Sequence, residues 1–73
     1  MFLYVTFKER LFSDDIGFYD SYGIKATDES NNNILTVSDV SVNESFVNEL
    51  CRCFNLYQLD PVHLSDALDN AVG

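Results

Sequence analysis

The chain has 73 residues, and 12 acidic side chains against 4 basic ones give it a formal net charge of −8. A chain of this length is predicted to form one domain, residues 1–73, which buries only about 60% of the surface that the unfolded chain exposes. So small an interior favours binding over catalysis. The acidic surface argues against direct contact with nucleic acid phosphates or anionic lipid heads.

The first two predicted strands form a hairpin. Residues 2–12 alternate between apolar and polar side chains with the period of two that is typical of a strand. A polar turn follows, in which Gly17 is suited to a positive φ. Residues 18–27 resume the strand pattern, and Gly23 inside them predicts a bulge or a close approach of another part of the chain.

A third strand is predicted over residues 34–40, after a second polar turn. The short links between the strands favour an antiparallel meander. Two registers of the third strand stay open, because either of two pairs of side chains can face the core: Leu35 with Val37, or Ile34 with Val40.

Two helices are predicted after the strands. Ser41-Val42-Asn43-Glu44 matches a capping box, in which the Ser41 hydroxyl accepts the third N–H and Glu44 folds back. Apolar residues then recur at helical spacing until a link at residues 56–59. Asp60 and Pro61 predict the second helix start, because a carboxylate can cap it and proline fits its first turn.

The predicted fold is α+β: a three-stranded antiparallel meander followed by an antiparallel helical hairpin that packs on one sheet face. The other face is expected to carry exposed aromatic side chains among polar neighbours. Such a face is a natural surface for a homodimer or another protein partner. The aromatic residues expected there are Phe2, Tyr4, Phe12 and Tyr19.

The topology also predicts where the acidic residues gather, because the first turn and the start of the first helix lie at the same end of such a fold. Together with Tyr4 and Tyr19, the acids of that end are the predicted partner-binding residues. Their carboxylates could occupy a basic groove that normally holds phosphates. The alternative is that surplus acids only keep the protein dispersed. The acids are Asp14, Asp15, Asp39, Glu44 and Asp69.

Cys51 and Cys53 are predicted to be reduced thiols rather than a metal site or a disulfide. Residues two apart on a helix point in nearly opposite directions, so one metal ion or one disulfide cannot take both. No metal and no cofactor is therefore predicted. Reduced thiols fit a cytoplasmic protein.

His63 is the one histidine of the chain, with Asp60 three residues before it and Asp66 three residues after it. One interpretation is a small hydrolase in which Asp66 orients His63 as a general base. No serine, cysteine or glycine-rich elbow stands in a recognisable partner arrangement. The other interpretation is a structural histidine, and no catalytic residue is predicted.

Three motifs resemble a family of short uncharacterised proteins from Gram-positive anaerobes. They are Tyr22-Gly23-Ile24, Asp39-Val40-Ser41 and the segment at residues 58–66, QLDPVHLSD. That family combines a YGI element, a D-[IV]-S element before a helix, and a closing L-x-P-x-H-L-x-D segment. The resemblance implies the fold and a Gram-positive or phage origin, and it implies no activity.

The leading hypothesis is a non-enzymatic, acidic protein-binding module without direct nucleic acid or membrane binding. Its concrete form is a phage-type, nucleic-acid-mimicking inhibitor or modulator of a basic nucleic-acid-binding protein, such as a bacterial defence nuclease. The alternative is a cellular regulatory or scaffolding domain that homodimerises through its open sheet face. A third alternative is the hydrolase that uses His63 and Asp66.

Overall fold

Three antiparallel strands precede two helices in the computed structural model, which describes residues 1–72, and this order confirms the predicted β-β-β-α-α fold. The strands form one sheet in the order β1-β2-β3. A short 3₁₀ turn at Pro61–His63 leads directly into the second helix. The elements are β1 (Leu3–Ser13), β2 (Gly17–Thr27), β3 (Asn33–Ser41), α1 (Glu44–Tyr57) and α2 (Leu64–Val72).

Both helices pack on the same face of the sheet, and they run in opposite directions. The end of α1 lies beside the start of β1, where Asn55 bonds to the backbone of Tyr4. The later part of α2 lies beside the end of β3, where Leu68 and Val40 line one shallow groove. The core between the layers consists of Tyr4, Ile24, Ala26, Val47, Cys51, Leu64 and Leu68.

The prediction that Tyr4 lies on the uncovered sheet face is wrong, because Tyr4 faces the helices and is only 1% exposed. Its ring packs edge-on against Phe54 with a centroid distance of 5.4 Å, and its hydroxyl donates to the Leu59 carbonyl at 2.5 Å. A buried tyrosine needs such an acceptor for its hydroxyl. The alternate row of β1 therefore faces solvent, with Leu3 52% and Val5 40% exposed.

The other three aromatic residues expected on the uncovered face are distributed differently. Phe2 is half-buried against the core. Phe12 belongs to the same row of β1 as Tyr4, but it is exposed because it lies beyond the helices. Tyr19, which pairs with Leu11, lies on the uncovered face as predicted. We call this uncovered face the open face.

A bulge in β3 explains why both predicted registers were partly right. Between the pairs Ile24–Val37 and Tyr22–Ser41, the single residue Gly23 faces three residues of β3. Asp39 lies in the left-handed region with φ 54, and this turn of the chain brings Val40 back toward the core. Val37 and Val40 therefore both pack against the helices.

Gly23 is the close approach that its position in the strand pattern predicted. A Cβ added there would overlap the carbonyl oxygen of Val37 and lie 2.5 Å from the Phe7 ring. The Phe7 ring thus covers the backbone of Gly23 on the open face. Only glycine fits between the bulge and this ring.

The first helix begins two residues later than the capping-box pattern predicted. Its N-cap is Asn43, whose side chain accepts the N–H of Phe46 at 3.1 Å. Ser41 is still the last residue of β3, and its hydroxyl accepts the N–H of Asn43 at 3.1 Å. Asparagine and serine are about equally good caps, so the length of the strand decides between them. Glu44 is the first helical residue, where the helix dipole favours a carboxylate.

The second helix start has the predicted geometry. The Asp60 carboxylate accepts the N–H of Val62 at 3.1 Å, and Pro61 occupies the first turn. Pro61 is also buried. This corner fixes the direction in which the chain returns over β3.

The β1–β2 hairpin extends beyond the rest of the fold. The two strands pair from Leu3–Thr27 to Ser13–Gly17, whereas β3 ends opposite Tyr22. Gly17 has φ 79 and closes the turn, as its position predicted. Residues 10–20 therefore form a two-stranded projection, which we call the hairpin arm.

The start of the β1 edge is closed by two side-chain amides from the end of α1. Asn55 accepts the N–H of Tyr4 at 2.7 Å and donates to its carbonyl at 2.9 Å. Gln58 does the same for Phe2 at 2.9 and 3.0 Å. Each amide thus imitates a paired strand and satisfies backbone groups that would otherwise be lost from water.

Replacing Asn55 tests this connection. Asn55→Ala leaves the part-buried N–H and C=O of Tyr4 without partners, so we expect it to lower the free energy of unfolding by about 1–3 kcal/mol. Asn48→Ala is the matched control on the exposed side of the same helix and should change it by less than about 0.5 kcal/mol. Urea denaturation measures both, and equal effects of the two variants would contradict the role of Asn55.

Asp28 organises the turn between β2 and β3. Its carboxylate accepts the N–H groups of Ser30 and Asn32, each at 2.9 Å. The bonds from Asn32, the largest contribution, and from Ser30 hold the pKa of Asp28 below its usual value. The charged form is therefore favoured in the folded state.

The stabilisation by Asp28 should depend on pH. Because its folded pKa is lowered, the stabilisation is full above the unfolded value of about 3.9 and is lost as pH falls through the folded value. Wild type should exceed Asp28→Asn in thermal midpoint at neutral pH, and the difference should shrink below about pH 4. Asp66→Asn is the control, since the Asp66 carboxylate accepts no hydrogen bond within residues 1–72. A difference that persists at pH 2 would contradict this account.

Candidate functional site

The predicted acidic residues do not form one patch. Asp14 and Asp15 lie in the turn at the tip of the hairpin arm, whereas Asp39 lies in the bulge of β3. Since β3 ends opposite Tyr22, whose partner in β1 is Lys8, the tip lies about five residues further along the hairpin. At about 3.3 Å per residue, the tip of the hairpin arm lies roughly 17 Å beyond the end of the β2–β3 pairing. The expectation that these acids gather with Asp39 and Glu44 is corrected accordingly.

Asp39 and Asp69 do lie near each other, because both line the shallow groove between β3 and α2. Glu44 begins α1 on the helical side of the fold. The two helices carry one basic residue, Arg52, which is paired with Glu49. Its hydrogen bond and charge lower the pKa of Glu49. The outer surface of the helical layer is therefore predominantly acidic.

A row of apolar side chains runs along β1 on the open face. Leu3 and Val5 are its most exposed members, and Phe7 and Leu11 continue it. Ile34 of β3 also faces outward on this side of the sheet. No element within residues 1–72 covers the row.

Carboxylates stand at the start of this apolar row and between its later members, Phe7 and Leu11. Leu3, Asp28 and Glu29 line one groove at the start of β1. Further along β1 the row passes Glu9, which bonds to the backbone N–H of Asp39 at 2.8 Å. The open face thus presents an apolar strip with carboxylates at its start and beside its further part, and with Lys25 opposite Val5.

The carboxylates of Glu9 and Asp39 belong to a hydrogen-bonded cluster across all three strands. Glu9 also accepts the Ser38 hydroxyl at 2.6 Å. Asp39 accepts the Ser21 hydroxyl at 2.5 Å and lies 3.5 Å from the Tyr19 hydroxyl. Partial desolvation and the Asp39 charge raise the pKa of Tyr19, so its hydroxyl stays protonated and can donate.

Three members of this cluster, Glu9, Ser21 and Ser38, are absent from the predicted site residues. Their side chains meet around the bulge, where Asp39 has a left-handed φ and turns toward Ser21. No local sequence pattern specifies that turn. Gly23 was the one feature of the sequence that predicted a bulge here, and it did not indicate which side chains would meet at the bulge.

The exposed side of the hairpin arm carries a ladder of cross-strand contacts. Lys8 pairs with Asp20 at 3.5 Å, and the Arg10 guanidinium lies 5.3 Å from the centroid of the Phe18 ring. Phe18 packs edge-on against Phe12 at 5.2 Å. Both rings stay largely exposed, at 66% and 61%.

The structure does not join His63 to the carboxylates considered for it. His63 is exposed in the 3₁₀ turn, where its backbone N–H donates to the Asp60 carbonyl at 2.9 Å. Within residues 1–72, its ring makes no hydrogen bond to Asp60 or Asp66. The hydrolase interpretation therefore has no supporting contact.

Both cysteines are free thiols. Cys51 is buried and accepts a hydrogen bond from the Thr6 hydroxyl at 3.4 Å. Burial raises the pKa of the Cys51 thiol, against a smaller opposing effect of Thr6. In the part of the chain that the structure describes, no three His, Cys, Asp or Glu residues could together hold a metal ion.

Comparison with known proteins places the chain in a family without assigning an activity. No helix within the described residues has the length and apolar character needed to cross a membrane. No curated protein and no solved structure matches the chain. The model of a family of unknown function, DUF6514, matches residues 2–73. The chain therefore belongs to the DUF6514 family.

Proposed function

We propose that this chain is a non-enzymatic, acidic protein-binding module whose partner is a protein with a basic surface. The open face carries the proposal, because Leu3 and Val5 are exposed there in an apolar row without a cover. Exposed apolar side chains in a contiguous row are typical of interaction surfaces. Burying them against a partner contributes about 25 cal/mol for each Å² removed from water.

The charges around the row define the kind of partner. Asp28 and Glu29 stand at one end of the row, and Glu9 and Asp39 stand beside its further part. Lysine or arginine side chains on both sides of an apolar strip would complement this arrangement. Carboxylates can accept the bonds that such side chains normally give to phosphates.

A nucleic-acid-binding protein fits this description best, and the role we propose is that of an inhibitor or modulator. The net charge of −8 would accelerate encounter with such a basic protein. The sequence motifs support a Gram-positive or phage origin, and the free thiols support a cytoplasmic location. Both are part of the proposal.

Substitution within the apolar row tests the binding face. A tagged protein would first recover its partner from a Gram-positive host lysate, and the purified partner would then be titrated directly. Val5→Asp should weaken binding at least about tenfold, because it buries a charge in the contact. Val62→Asp is the matched control, since Val62 is an exposed valine on the helical side. Equal affinities of both variants would contradict the open face as the site.

Salt and charge reversal test the kind of partner. We expect affinity to fall as ionic strength rises, and Glu29→Lys to weaken binding more than Asp66→Lys, which changes the charge equally on α2. Thermal midpoints would show that each variant stays folded. Binding that is insensitive to salt and tolerates Glu29→Lys would overturn the basic partner.

A further inference from the structure

The hairpin arm is the least supported part of the fold. Beyond the pair Lys8–Tyr22 it consists of two strands only. Two-stranded hairpins are marginally stable in water unless something packs against them. Yet Phe12, Ile16 and Phe18 are 61%, 69% and 66% exposed on this arm.

The exposed side of the arm has a distinct order of side chains from root to tip. Lys8, Arg10 and Asp20 stand at the root, where Asp20 is ion-paired with Lys8. The Phe12–Phe18 pair follows, and Asp14 and Asp15 form the turn at the tip. The Arg10 guanidinium contacts the Phe18 ring and, within residues 1–72, has no ion pair. The carboxylates of Asp14 and Asp15 likewise have no ion pair in the described chain.

The charges along one arm complement those of a second arm that runs in the opposite direction. Arg10 precedes Phe12 by two residues, and Asp14 follows Phe12 by two residues. At about 3.3 Å per residue, Arg10 lies roughly 7 Å from Phe12 along β1, and Asp14 and Asp15 lie beyond Phe12 in the turn that follows the strand. A second arm placed antiparallel over the first therefore sets Arg10 of each copy against the acidic tip of the other.

We propose that two copies of this chain associate through their hairpin arms, packed face to face and antiparallel about a two-fold axis near Phe12. The four phenylalanine rings form the centre of the contact. Arg10 of each copy pairs with Asp14 and Asp15 of the other copy. Such an interface is isologous, since each copy contributes the same surface.

Pairing of the two β1 edges is the competing arrangement, and the charges disfavour it. The antiparallel register that would align residues 6–12 of both copies sets Lys8 of one copy opposite Arg10 of the other. Like charges directly opposite on neighbouring strands are destabilising. Lysine and arginine at an edge are also a common protection against such pairing.

The proposed contact is small, so the dimer should be weak. One face of the arm measures roughly 17 Å by 10 Å, given the spacing of residues and strands. This is below the area of a standard stable interface. The contact also lies on the opposite side of the sheet from the open face, so its failure would leave the proposed partner site untouched.

Sedimentation velocity over roughly 10 µM to 1 mM tests the proposal, a range suited to a weak interface. Wild type should dimerise as concentration rises, and Phe18→Ser should weaken the dimer at least about tenfold. Arg10→Glu and the double variant Asp14→Lys/Asp15→Lys should each weaken it as well. The double variant Asp66→Lys/Asp69→Lys makes the same charge change on α2 and should not weaken dimerisation, because it lowers the repulsion between the copies without touching the arm.

Mixing the two arm variants provides the decisive readout. In a mixed dimer of Arg10→Glu with Asp14→Lys/Asp15→Lys, both charge pairs have opposite signs again, so association should recover although each variant alone is impaired. Recovery cannot come from misfolded protein, and far-UV circular dichroism of each variant checks the fold. A wild-type protein that stays monomeric throughout, or a mixture that stays as weak as its components, would overturn the proposal.

Discussion

The connection between the edge of β1 and the end of α1 determines which side of the sheet is buried. Asn55 and Gln58 hold the backbone of Tyr4 and Phe2 through paired hydrogen bonds. This contact brings the α1–α2 link over Tyr4, so that its hydroxyl reaches the Leu59 carbonyl. The Tyr4 row is then covered, and the Leu3 row is left to solvent. The open face is uncovered because this contact assigns the two sides of the sheet.

The strands of the hairpin are longer than helix α1, and this difference in length explains the exposed hairpin arm. β1 and β2 each have 11 residues, or roughly 36 Å at strand spacing, whereas the 14 residues of α1 span only about 21 Å. With β3 ending opposite Tyr22, the hairpin cannot be covered over its full length. The same mismatch produces the arm, exposes Phe12 and separates Asp14 from Asp39.

Local chemistry made the strands, turns and helix starts predictable. It did not decide which face of the sheet the helices cover. Asp60-Pro61, the strand alternation, Gly17 and Gly23 each specify a backbone conformation through one or two residues. The covered face depends on contacts between Tyr4 and residues more than 50 positions away, and both rows of β1 are apolar enough to be buried. The cluster around Asp39 likewise needs a bulge whose geometry no nearby residue determines.

The net charge of the chain links the two proposed surfaces. Two copies, each with a charge of −8, repel one another, and this repulsion opposes the attraction between Arg10 and the acidic tip of the other arm. At an ionic strength of 0.1 M the Debye length is about 10 Å, so the short-range pairs survive while the wider repulsion is partly screened. A basic partner on the open face would lower the repulsion further without touching the arm. Since linkage is reciprocal, partner binding and self-association would then strengthen each other.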